Sequence, residues 1–440
     1  KWADAGVRLA DAALMPVRNN PGDGEISDGD LFYEHVHLTF DGNYRLARVV
    51  LDEVCAALPK LGGSENQGVV PSRRRCAELL ALTPWDESQM AETMAGMTSK
   101  APFAGQLDHG FRQAEACRRR DELRKLASAP EAMQAAWRTY ETALAAAPDD
   151  GRLHHQFGRF AMQYGRFGTA VEHLQLAAGY LSWDSSMHND FGVALSGQGQ
   201  GEEANAQFRK ALELKPQYLE ARNNLAFLLS GRGQAGEAVA HYRKVLEIAP
   251  DNAQANGSLG GLLAGLGHTD ESIAHYRKAF ETDPGNAQTC LNLANAMACK
   301  GEADEAIAFY RRALIINPDH AEAGNNLGLL LAGRGQADEA MALYRKALTI
   351  KPDYAEAHNN LGLLLAGRGQ GDEAITHYQK ALESKLDFAE AHNNLGVLLA
   401  SARGQFAEAI VHFQKALEIK PDYEGARRNL EMARSKQGIR

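Results

Sequence analysis

Beyond residue 131 the apolar positions of the chain recur with a single spacing, and that recurrence predicts the architecture. In the repeat that follows Pro352 the sequence gives Leu361-Gly362, then Ala374, Tyr378 and Ala381, with Leu386 where other repeats carry proline. The same columns hold Leu225, Leu259, Leu293, Leu327 and Leu395 at the first place, and Tyr242, Tyr276, Tyr310, Tyr344 and Phe413 at the aromatic place. Proline reports the period: Pro216, Pro250, Pro284, Pro318 and Pro352 follow one another every 34 residues, Pro148 is in phase with them, and Pro421 falls one residue late. The lag marks a one-residue insertion near Ala402. An aromatic residue four positions after an alanine lies on the same helix face one turn on. Each repeat therefore reads as two antiparallel helices.

Two helices close into a hairpin only where the crossing residues are small. Gly328, Gly362 and Gly396 meet that need on the first helix and Ala340, Ala374 and Ala409 on the second, with the Tyr or Phe filling the remaining gap. The runs Gly333-Arg334-Gly335 and Gly367-Arg368-Gly369 supply the left-handed residue that ends the first helix. Asp338-Glu339 and Asp372-Glu373 then open the second helix, where its dipole favours acids. Pro-Asp-Tyr or Pro-Asp-Asn stops the second helix and turns the chain. No hairpin of this kind buries its apolar face alone, so neighbours must stack, and stability becomes roughly a sum over adjacent repeats.

The period and the order Leu-Gly, Ala, aromatic, Pro resemble the tetratricopeptide repeat (TPR). The resemblance covers eight full repeats, about 151–423, with a half-repeat helix at 131–147 and a closing helix at 424–437. It implies an all-α superhelical solenoid of antiparallel helix pairs over 131–440, and a scaffold that binds another protein or an extended peptide. In such arrays the first helices line the binding surface. The residue before each Leu-Gly pair is Asn224, Asn292, Asn326, Asn360, Asn394 and Asn429, with Asp190 and Ser258 as exceptions. A carboxamide both donates and accepts, so this row can pair with a peptide backbone, as the similar asparagine ladder of the protein O-GlcNAc transferases does. The competing reading is that these side chains bond the adjacent repeat or face solvent. A second row, Glu220, Glu322, Glu356 and Glu390, complements helix dipoles or attracts basic ligands. A third, Phe227, Leu329, Leu363 and Val397, is expected in the inter-repeat core, with apolar ligand contact as the alternative.

The first 130 residues differ in character. Their clearest feature is the stretch from Leu31 to Tyr44, with Glu34 three positions before His37 and then Leu38-Thr39 ahead of Gly42-Asn43. This resembles the last conserved block of SGNH/GDSL hydrolases, in which an acid orients a His that deprotonates a Ser nucleophile. The resemblance implies that residues 1–60 are the C-terminal remnant of an α/β hydrolase domain, with Glu34 as acid and His37 as base, and Asn43–Leu58 as its last helix. No Gly-Asp-Ser tripeptide occurs in the chain, which begins at Lys1 rather than Met. A serine esterase is therefore expected of a longer parent and not of this chain. His35 is a rival imidazole, but no third metal ligand accompanies the pair. Residues 61–130 read as a linker and short connecting helices, with Thr83-Pro84 as cap and first helical position and Trp85-Asp86 as a structural anchor.

Composition narrows the functions. At 440 residues the chain exceeds one compact core, which favours several domains or an elongated array. Its apolar 45% holds only 7% aromatics, as packed Ala- and Leu-rich helices require. A net charge of −9 supplies no basic field for nucleic acid, and no apolar run is long enough to span a membrane. Basic clusters such as Tyr242-Arg243-Lys244 fall late in second helices and read as solvated faces beside a packing tyrosine. Five scattered cysteines without a CxxC pair suggest neither a disulfide framework nor a zinc site. No cofactor is implied, and the compartment is left open.

Overall fold

The structure is a computed structural model that describes residues 129–438 continuously and, before them, residues 32–33, 37–38 and single positions between 83 and 125. Two compact units divide the chain, 1–204 and 205–440. Within the described residues the first unit holds α1 (Pro130–Ala146), α2 (Gly151–Gln163), α3 (Phe167–Tyr180) and α4 (Ser185–Gly197), and α5 (Gly201–Leu214) begins in it. The second unit continues with α6 (Leu219–Gly231), α7 (Ala235–Ile248), α8 (Ala253–Gly265), α9 (Thr269–Thr282), α10 (Ala287–Lys300) and α11 (Ala303–Ile316). It ends with α12 (Ala321–Gly333), α13 (Ala337–Ile350), α14 (Ala355–Gly367), α15 (Gly371–Ser384), α16 (Ala389–Arg403), α17 (Phe406–Ile419) and α18 (Glu424–Gln437). From α6 onward each even-numbered helix packs on the odd-numbered helix that follows it, and that helix on the next even-numbered one. The strands among the described residues are a two-residue pair, β1 (Phe32–Tyr33) and β2 (His37–Leu38), antiparallel with Tyr33 opposite His37. Over residues 129–438 the all-α architecture expected from the periodicity is the one observed.

The hairpin closes by ring insertion. A Cβ placed on Gly362 would sit 2.9 Å from Tyr378 Cε1, and one on Gly328 would sit 2.7 Å from Tyr344 Cε1. The glycines thus accommodate the aromatic ring of the second helix more than its backbone. Both rings are buried, and burial pushes the Tyr344 and Tyr378 hydroxyls up to about 12.

The turn after each first helix follows from a left-handed glycine. Gly369 has φ +77°, and the next residue's N–H, on Gln370, returns to the Leu365 carbonyl at 2.9 Å. In α16 the corresponding bond runs from Gln405 to Leu399, and Gly404 takes the left-handed place at φ +64°. The helix there is 15 residues long where α14 has 13, and two residues rather than three connect it to the next helix, so the net lengthening is the expected one-residue insertion.

Within the first unit an aromatic cluster of Trp85, Tyr140, Phe157 and Phe160 closes the start of the stack, and Trp85 meets Phe160 edge-on at 5.5 Å. Thr83 acts as a cap, its Oγ1 accepting from the Asp86 N–H at 3.3 Å while the Asp86 carboxylate accepts from the Thr83 N–H and hydroxyl. Tyr140 donates to Asp86 Oδ1 at 2.7 Å, which ties the Trp85-Asp86 segment to α1.

Candidate protein-interaction face

On a helix, residues i, i+4 and i+7 share a face. Glu322, Asn326 and Leu329 are so related, as are Glu356, Asn360 and Leu363, and Glu390, Asn394 and Val397. The apolar members corrected the expectation of a core row: Phe227 is 70% exposed, Leu329 55%, Leu363 54% and Val397 40%, and Met432, in the same column after the insertion, is 63% exposed. The reason is helical geometry. Leu329, Leu330 and Leu331 are consecutive, successive side chains point about 100° apart, and only Leu331 is fully buried.

The asparagines are half-buried, and four of them donate across to the preceding repeat. Asn360 Nδ2 donates to Asn325 Oδ1 at 3.1 Å, Asn394 to Asn359 at 3.0 Å, and Asn429 to Asn393 at 2.9 Å. Asn326 donates to Asn295 Oδ1 at 3.0 Å, which also accepts from the Tyr310 hydroxyl at 2.6 Å. Within a repeat, Asn325 Nδ2 donates to Asn326 Oδ1 at 3.1 Å. The result is a chain of carboxamides running from Asn295 to Asn429. Sequence reasoning missed its buried half, Asn325, Asn359 and Asn393, because two adjacent asparagines read as one polar row. Asn292 accepts from Gln288 Nε2 at 2.9 Å, and Asn224 also has an interaction partner.

Two members of the acidic row are neutralised from the end of their own repeat. Lys385 Nζ lies 3.0 Å from Glu356 Oε1 and Lys420 Nζ 3.7 Å from Glu390. Burial opposes ionisation of Glu356, and the Lys385 ammonium outweighs it, so the carboxyl stays below its ordinary value. A cleft beside this row is lined by Asp319, His320, Glu322, Lys351 and Tyr354. The acids that open the second helices are also inter-repeat partners: Arg368 pairs with Asp338 at 2.5 Å and Arg311 with Glu339 at 3.0 Å. Tyr242 and Tyr276 are buried, as a packing column requires.

Glu34 lies outside the described residues, and His37 is described only as a member of β2. Among the described residues no group of three His, Cys, Asp or Glu is placed to hold a metal ion, and no helix is long and apolar enough to cross a membrane.

Tetratricopeptide-repeat models match residues 163–317, 332–369 and 353–422. No curated protein matches the chain. Among solved structures, MamA is 30% identical, over 37% of this chain and 95% of its own, with a TM-score of 0.35. YrrB, a TPR protein with an unusual peptide-binding site, is 25% identical over 43% of this chain and 97% of its own, with a TM-score of 0.36. The Cut9 and Hcn1 hetero-tetramer structure of the APC/C shares the fold over 82% of this chain and 69% of that one, at 16% identity and a TM-score of 0.51. With the three repeat-model matches and the stacked Gly–aromatic hairpins, the chain belongs to the tetratricopeptide-repeat family.

Proposed function

We propose that the second unit binds an extended segment of another protein along the exposed face of its first helices, and that residues 131–440 form the binding arm. The observation that carries this reading is the apolar row. Leu329, Leu363, Val397 and Met432 come from successive first helices and are all solvent-exposed, each three residues after a half-buried asparagine. Large apolar side chains aligned in this way are costly to leave in water, and they are matched by a partner's apolar side chains.

The asparagine row is the second part of the proposal. A primary carboxamide has two donor hydrogens and two acceptor lone pairs. Asn326 spends one donor on Asn295 and one lone pair on Asn325, so its second lone pair is left for a peptide N–H. Asn224, Asn292, Asn360, Asn394 and Asn429 would take the same role in their repeats. Apolar anchors then set affinity, and carboxamides set the alignment of the bound chain.

The test is the triple variant Leu329→Asp, Leu363→Asp, Val397→Asp, with a random dodecapeptide selected by phage display on the full chain as the probe. The variant should melt within a few degrees of the parent, because the three side chains are exposed, and it should lose peptide binding by fluorescence anisotropy. Unchanged affinity would remove this face from consideration.

A further inference from the structure

The interaction face of the second unit has a pitch, and the pitch restricts what can lie on it. The first helices α12, α14, α16 and α18 contact one another in succession, and the asparagine bonds join them rung by rung. Helices packed in this way stand about 8–10 Å apart. Each presents the same pair outward, a half-buried asparagine and, three residues on, an exposed apolar side chain: Asn326 and Leu329, Asn360 and Leu363, Asn394 and Val397, Asn429 and Met432. A partner chain running across the helices therefore meets one apolar position and one carboxamide oxygen every ~8–10 Å.

Three backbone conformations can be set against that pitch. On a β-strand the side chains of one face recur every second residue, about 6.6 Å apart, and fall out of step with the helices at once. An α-helix brings residues i and i+7 to one face about 10.5 Å apart, but its N–H groups are spent on its own carbonyls and leave nothing for the asparagines. Polyproline II has three residues per turn, rises about 9.3 Å per turn and makes no internal hydrogen bonds. Every third side chain then faces the apolar row in step, and the backbone N–H groups stay available to the carboxamide oxygens.

Charge supplies the rest. Glu322, Glu356 and Glu390 stand two turns before the apolar row on the same face, and Lys385 and Lys420 answer the last two. Lys351, in the column of those lysines, keeps its ammonium over the Tyr354 ring at 5.1 Å, and the exposed Glu322 has no ion pair among the described residues. Glu322 lines a cleft of about 540 Å³ together with Asp319, Lys351, Tyr354 and Glu356, a volume in the range of ligand pockets. With Glu356 paired to Lys385, Asp319 and Glu322 still outnumber Lys351, so the cleft favours a cation.

We propose that the partner is a basic polyproline II segment: an apolar residue at every third position lies over Leu329, Leu363, Val397 and Met432, and a lysine or arginine beside the residue at Leu329 enters the cleft and pairs with Glu322. The inference rests on the peptide-binding reading above and adds the conformation, period and charge of the bound chain. Residues between the anchors point to the other two sides of a threefold helix. One of those sides faces the glutamates, so the cation reaches Glu322 without disturbing the apolar register.

The experiment uses the full chain and a set of synthetic dodecapeptides read by fluorescence anisotropy. The lead peptides carry leucine at every third position with proline and serine between, and an arginine beside the leucine at one end or the other, which covers both chain directions. One of the two should bind the parent, and inserting a single serine between its middle leucines should weaken it about tenfold, because the anchors then fall out of step. The same composition with leucine at every second position should bind no better than the interrupted peptide. Exchanging the arginine for glutamate should cost about tenfold against the parent and little against Glu322→Gln, a change on an exposed side chain that retains the fold. The inference is wrong, while the broader reading stands, if the phage-selected dodecapeptide binds but the designed set does not, if leucine spacing makes no difference, or if the arginine exchange costs as much against Glu322→Gln as against the parent. If neither the designed nor the selected peptides bind, both fall.

Discussion

His358 and His377 face each other inside one repeat with their Nδ1 atoms 2.9 Å apart, and His358 Nε2 lies 2.9 Å from the Pro352 carbonyl oxygen. A carbonyl only accepts, so His358 carries its proton on Nε2 and accepts at Nδ1 from the Nδ1–H of His377. His154 with His173 and His392 with His412 repeat the arrangement at 2.8 and 3.0 Å.

The His358–His377 and His392–His412 pairs, whose imidazoles burial holds below their ordinary value, should make the array sensitive to acid. Burial first, then repulsion from His358, Lys380 and Arg345, holds His377 down at about 4, and His358, facing Lys380 and Glu383, is likewise lowered from 6.5. The unfolded chain then binds more protons than the folded one between about pH 6.5 and 4. Stability is fully present above that window and falls as the pH drops through it. Allowing for solvent screening of a partly exposed group, the loss is about 1–2 kcal/mol per pair. Another repeat places Cys290 and Phe309 in the same two columns. The double variant His358→Cys, His377→Phe should therefore flatten the melting temperature between pH 7 and 4.5, and an unaltered slope would show that the pair does not titrate as described.

The carboxamide ladder gives a prediction of non-additivity. Asn360→Ala removes the donor to Asn325 Oδ1, which is buried, and should destabilise the second unit by about 1–3 kcal/mol. Asn325→Leu borrows the apolar residue that Leu291 supplies in the same column. Combined with Asn360→Ala it should cost less than the sum of the two, because the buried Asn325 acceptor that Asn360→Ala strands is then absent. Urea unfolding of the four proteins in the cycle measures the coupling, and strict additivity would deny the bond a stabilising role.

Much of this was readable from spacing alone, for a physical reason. Columns such as Gly362 and Tyr378 are fixed by steric fit within one hairpin, and a fit repeated every 34 residues leaves a periodic record. Leu329 defeated that reading because a run of three leucines carries no sign of which member faces inward. The bonds between repeats were less visible still. Asn360 reaches Asn325 and Arg368 reaches Asp338, and such pairings depend on how neighbouring hairpins are rotated against each other. The histidine pairs join two helices 19 residues apart, where each imidazole alone resembles any half-buried polar residue.

Three glycines of one repeat should respond in opposite directions. Gly362→Ala places a methyl 2.9 Å from the Tyr378 ring and should cost about 1–3 kcal/mol despite the better helix propensity of alanine. Gly367, the last residue of α14, has open space at its Cβ among the described residues, and Gly367→Ala should gain about 0.5–1 kcal/mol. Gly369 is equally open but sits at φ +77°, so Gly369→Ala should lose about 1 kcal/mol through backbone strain alone. Thermal melts of the three variants test the order, and a loss at Gly367 would show that open space does not predict tolerance in this array.

The Trp85 anchor offers a test of locality. Trp85→Ala removes an indole packed on Phe160 and should cost about 3–5 kcal/mol where it acts. Tyr140→Phe removes only the hydroxyl that donates to Asp86 and should cost about 1–2 kcal/mol. In a stacked array each repeat depends on its neighbours, so the effect should fade with distance along the chain. Hydrogen exchange read by mass spectrometry should show faster exchange in α1 and α2 for both variants, with α12 to α16 unchanged. Equal loosening of α14 would mean that the array unfolds as one cooperative body, and the nearest-neighbour account of its stability would have to be given up.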